Sequence, residues 1–209
     1  MIRRLVVVRH GETRDNVRGI AQGWSDSELT ERGLVQVERV AERLRDLGAG
    51  SLWTSPLPRA STTAEAIGRI AGLEPVPLDD LREMNCGEWE GMAFPEIHRG
   101  QPELYRRWAA DPHEPCPGGE SFRDVQVRIE RAIAKMDETV DGEPATVLVS
   151  HGTAIRVLAM SLLDLPLRAA RSFAQENAAV NIFERRPDRW VLRLWNDTTH
   201  CADLEHRTE

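Results

Sequence analysis

The chain opens on Leu5-Val6-Val7-Val8, four consecutive apolar residues of which three are β-branched, and the run stops at Arg9-His10-Gly11. A short apolar run without alternation predicts a strand buried on both faces, as in the middle of a parallel sheet. Val147-Leu148-Val149 ends the same way, on Ser150-His151-Gly152. Elsewhere the apolar spacing is helical. Leu34, Val37, Val40, Ala41, Leu44 and Leu47 share one face, behind Thr30 as N-cap and ahead of Gly48. Ala60, Thr63, Ala64, Ile67, Ile70 and Ala71 mark a second helix, entered through the turn Ser55-Pro56-Leu57-Pro58-Arg59. Val125, Ile129, Ala132, Ile133, Met136 and Val140 mark a third, capped by Ser121. Ile155, Leu158, Ala159 and Leu162 mark a fourth, closed by Pro166.

Shorter strands fill the gaps. Residues 51–54 form a brief second strand, and 74–78, interrupted by Pro75 and Pro77, a sheet edge. Residues 178–184 and 190–195 read as a closing hairpin turning at Arg186-Pro187-Asp188. Residues 14–29 lack periodicity and read as a loop. Residues 81–118 are rich in glycine and proline, with helical spacing only around Leu104 to Ala110. A long irregular insertion is usually functional, so the segment of about 84–118 is expected to form a lid over the strand ends and to set specificity. The order β-α-β-α-β, lid, α-β-α-β-β predicts an α/β fold. Its central sheet is mostly parallel with helices on both faces, in a single domain spanning residues 1–209.

Composition narrows the function classes. The 209 residues are enough to bury a core without disulfides. A net charge of −7 disfavours a general nucleic-acid or membrane-surface binder, although a local cluster of arginines can still oppose it. Cys86, Cys116 and Cys201 show no CxxC spacing and are expected as reduced thiols. No apolar run approaches the ~20 residues of a membrane span, and the N-terminus begins on a strand rather than a signal region. A cytoplasmic location is expected.

Open α/β sheets bind ligands at the carboxyl ends of their strands. Arg9, His10, Arg59, Glu83 and His151 fall at or just beyond such ends. Singly, each has a plain structural explanation: a strand terminus, a hydrogen-bonded core histidine, a solvated helix start. Jointly they form a set for phosphoryl transfer. Arginine forks match phosphate oxygens. A neutral imidazole is a nucleophile toward phosphorus. A second imidazole, if protonated, stabilises the charge that builds on the transferring group. A carboxylic acid protonates the leaving oxygen. No HExxH or paired metal-ligand spacing is present, and no GxSxG elbow surrounds Ser150.

On these residues the chain resembles the histidine phosphatase superfamily, the phosphoglycerate mutase-like family, over essentially its whole length. Arg9-His10-Gly11-Glu12-Thr13 matches the family signature RHG(E/Q)T. Ser55-Pro56 with Arg59, Leu81-Arg82-Glu83 with Gly87 and Glu90-Gly91, Gly118-Gly119-Glu120-Ser121, and Ser150-His151-Gly152 match further family elements. The resemblance implies that His10 becomes phosphohistidine, that Arg9, Arg59 and His151 form the phosphate pocket, and that Glu83 donates and then accepts the proton. That double role of Glu83 leads us to expect an activity optimum at mildly acidic or neutral pH. By the same resemblance Asn16, Gln22 and Gly23 contact phosphate or substrate, and Gly152 presents its amide. No metal and no cofactor is implied.

In the mutases of the family the acid is followed by Arg-His-Tyr-Gly. Here Glu83 is followed by Met84-Asn85-Cys86-Gly87, which resembles the small-molecule phosphatase branch. The expected function is therefore a phosphomonoesterase, a histidine acid-type phosphatase acting on a small phosphorylated metabolite. The alternatives are a cofactor-dependent phosphoglycerate mutase and, less favoured, a non-catalytic phospho-ligand binding module. The lid residues His98, Arg99, Tyr105, Arg106, Arg107, Trp108 and His113 are candidates for substrate contact, with packing and a solvated face as the simpler reading for most. The closing strands could pair across a homodimer.

Overall fold

The computed structural model describes residues 1–140 and 142–204. A six-stranded sheet, in the order β3-β2-β4-β1-β5-β6, is built from β1 (Arg4–Arg9), β2 (Ala49–Thr54), β3 (Val76–Pro77), β4 (Ala145–Ser150), β5 (Val180–Arg185) and β6 (Trp190–Asp197). The pairs β3-β2, β2-β4 and β4-β1 are parallel; β1-β5 and β5-β6 are antiparallel. The sheet is thus mostly parallel, and the closing hairpin extends it beside β1.

The unbroken apolar run of β1 follows from its position. Leu5 and Val7 face one hydrophobic cluster, with Phe122, Ile129, Met136, Ile155 and Leu158. Val6 and Val8 face the other, with Val37, Val40, Ala64 and Ile67. All four side chains of the run are fully buried, each contributing about 1.5–3 kcal/mol of apolar transfer. The helices that cover the faces are α2 (Glu31–Arg43) and α3 (Pro58–Ala71) on one side, α6 (Phe122–Thr139) and α7 (Gly152–Leu163) on the other. Thr30 and Ser121 cap α2 and α6 with hydrogen bonds to the amides of Gly33 and Asp124.

Three expectations need correction. The stretch 14–29 is not wholly loop: α1 (Arg14–Arg18) starts on a Thr13–Asn16 capping box. It buries no residue, so it left no hydrophobic period. The segment of about 84–118 holds two α-helices, α4 (Phe94–Gly100) and α5 (Pro102–Ala110), rather than one. Pro95 and Pro102 sit in the first turn of each, where a missing N–H costs nothing; these prolines start helices instead of breaking them. The third strand shrinks to Val76–Pro77, at the sheet edge as expected. Cys86, Cys116 and Cys201 are buried free thiols. Among the described residues no helix is long and apolar enough to cross a membrane.

Candidate active site

Strand register brings the two His-Gly pairs together. Arg9 of β1 lies opposite Ser150 of β4, so the next residue on each strand, His10 and His151, leaves the sheet side by side. Their ring centroids are 5.1 Å apart, and the His10 amide donates to the Ser150 carbonyl at 3.1 Å. On the other flank of β4, Thr54 pairs with Val149. Ser55 therefore ends β2 level with the histidines, and its Oγ lies 2.7 Å from His151 Nε2. The following Ser-Pro-Leu-Pro turn starts α3, whose second residue is Arg59. Three adjacent strand ends thus deliver the two imidazoles and a guanidinium to one place.

His10 is buried, and its Nδ1 lies 2.7 Å from the Gly11 carbonyl. A carbonyl only accepts, so Nδ1 carries the proton and Nε2 keeps its lone pair. Burial first, then the charges of Arg9 and Arg59, hold the His10 pKa well below the ordinary histidine value. Burial, Arg59 and His10 do the same for His151. Both rings are neutral in the free protein at pH 7. Arg9, half-buried, is pushed down to about 10 by desolvation, against the pull of Glu83, and stays cationic at neutral pH. Its guanidinium donates to the Gln175 carbonyl. Arg59, lowered by burial too, donates to the carbonyls of Ser25 (2.8 Å) and Gly23 (2.7 Å).

Glu83 approaches from the far side of the site. Its carboxylate accepts from the amides of Met84 (2.8 Å), Thr153 (3.1 Å) and Ala154 (3.2 Å). It therefore caps the N-terminus of α7 directly beside Gly152, where the helix dipole favours an anion. Its loop is held from behind by buried Arg128, which donates to the carbonyls of Asp80, Arg82 and Glu83 and pairs with Glu120 at 2.9 Å.

These groups surround a cavity of about 680 Å³. Arg9, His10, Arg59, Glu83, Asn16, Gln22, Gly23 and Gly152 all line it. His151 stands behind His10, fully buried, with its Nδ1 unpartnered. The Asn16 carboxamide oxygen accepts from the Thr13 hydroxyl and from Asn177, leaving its NH2 as the free donor. Gly23 is required on two counts. Its φ is +54°, and a Cβ there would stand 2.1 Å from Glu90 Oε1. Among the described residues no group of three or more His, Cys, Asp or Glu side chains is arranged to hold a metal ion.

Of the lid candidates, only Tyr105 and Trp108 line the cavity. Arg107 pairs outward with Glu114 at 3.1 Å, and Arg106 with Glu103, so these arginines form a solvated face. His98 stacks edge-on against Tyr105. Two further cations line the cavity, Arg156 and Arg171, and were not anticipated from sequence. Arg156 was findable: it lies one helical turn past Gly152, hence on the same face of α7. Arg171 and Gln175 come from the irregular connection before β5, which carries no periodic signal.

The profile of the histidine phosphatase superfamily (branch 1) matches residues 5–198. Phosphoserine phosphatase 1 of Hydrogenobacter thermophilus is 31% identical over 96% of this chain and 95% of its own length. Phosphoglycerate mutase-like protein 4 of Arabidopsis thaliana is 35% identical over 95% and 87%. Among solved structures, a mycobacterial glucosyl-3-phosphoglycerate phosphatase in complex with VO3 superposes with a TM-score of 0.88 at 33% identity, covering 94% of this chain and all of its own. A phosphoserine phosphatase of Entamoeba histolytica, in complex with phosphoserine, superposes at 0.84 with 28% identity, covering 94% and 98%.

Proposed function

The chain belongs to the histidine phosphatase superfamily, and from that premise we propose that it is a phosphomonoesterase that hydrolyses a small phosphorylated metabolite through a phosphohistidine on His10. The observation that carries the proposal is the fixed tautomer of His10. A neutral imidazole, held by Gly11 with its Nε2 lone pair unprotonated, stands at a cavity wall between Arg9 and Arg59. Phosphatase names among the relatives support hydrolysis.

The ester phosphate sits between the Arg9 and Arg59 guanidinium groups, with the Gly152 amide and the Asn16 and Gln22 carboxamides as further contacts. The two guanidinium groups are pre-oriented by the backbone carbonyls they bond, so they need little reorganisation as charge develops. His10 Nε2 attacks phosphorus while the ester P–O bond breaks, and Glu83, having taken up the proton that the ester monoanion brings, gives it to the departing oxygen. The leaving alcohol departs. Glu83, now a carboxylate, takes a proton from water as the water oxygen attacks phosphorus and the N–P bond breaks. His151 stabilises the intermediate from behind, becoming protonated when the phosphate dianion offsets the neighbouring cations. The segment of about 84–118 acts as the lid, presenting Tyr105 and Trp108 to the substrate.

The test is turnover of p-nitrophenyl phosphate with rapid-quench mass analysis. Wild-type protein should release phosphate and carry a transient phosphoryl adduct on His10; His10→Ala should do neither. Undiminished turnover by His10→Ala would end the proposal. The mutase reading, favoured by the names of some relatives, predicts isomerisation of 3-phosphoglycerate faster than phosphate release when a bisphosphoglycerate primer is present. We expect the reverse.

A further inference from the structure

The cavity holds more positive charge than one phosphate needs. Arg156 and Arg171 line it alongside Arg9 and Arg59, and neither is spent on a carboxylate. Arg156 donates to the Gly152 carbonyl (3.1 Å) and the Thr153 hydroxyl (3.2 Å). Arg171 donates to the Trp108 carbonyl at 2.6 Å. Its guanidinium is clamped over the Trp108 ring at 4.0 Å and over the Phe122 ring at 4.4 Å. The two rings stand edge-to-face, 6.2 Å apart, and meet the guanidinium from two directions, which fixes its place at the cavity wall. Burial lowers the pKa of both arginines; Arg156 lowers that of Arg171 further, while the Glu83 carboxylate pulls that of Arg156 the other way.

Neutral groups beside them are also unspent. Gln175 is only 8% exposed, yet neither its Oε1 nor its Nε2 has a partner among the described residues. Trp108 Nε1 is buried without an acceptor. Buried polar groups normally find partners, and leaving one without is costly. Two cations, two free N–H donors and one free acceptor, all on the wall of one cavity, describe a recognition site.

Resting on the phosphatase reading, we infer that Arg156, Arg171, Gln175 and Trp108 form a second subsite that takes a carboxylate on the substrate, together with a hydroxyl or amino group next to that carboxylate. The arginines and the Trp108 Nε1–H receive the carboxylate oxygens. Gln175 Oε1 accepts from the neighbouring O–H or N–H, and its NH2 returns a hydrogen bond. The substrate class is then a phosphorylated hydroxy or amino acid rather than a simple sugar or alcohol phosphate. Lid arginines play no part, because they point outward. The selectivity arises from α7, the connection before β5 and Trp108 of α5.

Matched esters test this. O-phosphoserine and O-phosphoethanolamine differ only by the carboxylate, as do 3-phosphoglycerate and 2-hydroxyethyl phosphate. A site built to bond a polar group rejects the analogue that lacks it. Wild-type kcat/KM should favour the carboxylated member of each pair by at least about tenfold. That ratio should fall at least about fivefold in Arg156→Gln and in Arg171→Gln, since a lost charge-assisted hydrogen bond is worth that much. Calorimetric binding of the same esters to His10→Ala should show the same order without any turnover. A ratio below about two in wild type, or one unchanged in both variants, overturns the subsite. Should turnover of every ester be absent, the phosphatase reading falls, while the binding order in His10→Ala still decides the subsite. Arg156 lies on the regular helix α7, so its variant remains informative if Arg171→Gln fails to fold.

Discussion

Glu90 touches none of the groups proposed to meet phosphate, yet its loss should cripple the site. Its carboxylate gathers four donors: the amides of Trp24 (2.8 Å) and Cys86 (3.3 Å) on one oxygen, and the amide (3.1 Å) and hydroxyl (2.6 Å) of Ser25 on the other. Those bonds tether the 23–25 segment, whose carbonyls in turn hold both ends of the Arg59 guanidinium. Glu90→Gln keeps the shape but turns one oxygen into an NH2. On that side a donor then faces a donor, and the Ser25 amide or the Trp24 and Cys86 amides lose their acceptor. A hydrogen bond to a charged group contributes about 1.5–3 kcal/mol; with the rim partly exposed, the low end applies, and about 2–3 kcal/mol of tethering disappears in total. If that energy goes into opening the loop, the competent fraction falls by about 30- to 150-fold. A reduced competent fraction raises apparent KM rather than lowering kcat. The assay is steady-state hydrolysis of p-nitrophenyl phosphate by Glu90→Gln, with Glu88→Gln on the exposed neighbouring position as control, each with a thermal melt. A Glu90→Gln protein with KM within twofold of wild type and an unchanged Tm would refute the claim that Glu90 positions Arg59.

Arg128→Met leaves the Glu120 carboxylate and the carbonyls of Asp80, Arg82 and Glu83 without their buried partner. A loss of about 3–5 kcal/mol in urea unfolding is expected, with turnover reduced in the protein that remains folded. Gly33→Ala would put a Cβ 2.0 Å from the Glu12 carbonyl oxygen, so α2 must move off the backbone that follows His10. Overpacking of this kind costs about 1–3 kcal/mol and should lower both Tm and activity. Acid should destabilise the fold through His10 and His151. Their folded pKa values lie well below the ordinary 6.5, so the unfolded chain binds more protons as pH drops below about 6.5. Stability is present above that pH and is lost, by up to about 1.4 kcal/mol per pH unit for each ring, on the way down to the folded values. Urea midpoints at pH 7.5 and 5.5 measure it; equal midpoints would contradict neutral buried imidazoles.

Patterning alone determined the frame of this protein. The apolar run 5–8 could only be a strand covered on both faces, because every side chain in it avoids water. The stripes at 34–47, 60–71 and 125–140 could only be helices packed on that sheet. Arg9, His10, Arg59 and His151 were legible because each adjoins a patterned element, whereas Glu83, in the irregular stretch 81–118, was legible through the family motif alone. What stayed hidden lacked such a period. Helix α1 buries nothing, and α4 holds a proline that reads as a breaker until its first-turn position is known.

Tertiary structure alone decided the rest. That His10 and His151 meet depends on Arg9 standing opposite Ser150, a register set between strands 141 residues apart. The tautomer of His10 depends on one carbonyl at 2.7 Å, and the Glu83 carboxylate on the end of α7. In sequence, Arg106 and Arg107 were candidates for substrate contact with a solvated face as the simpler reading, and the cavity's second pair of cations does not come from them. It comes instead from Arg156 and Arg171, because salt bridges turn Arg106 and Arg107 outward to Glu103 and Glu114 while aromatic rings clamp Arg171 inward. Side-chain direction on an irregular segment is fixed by its neighbours in space, and those neighbours are written nowhere in the local pattern.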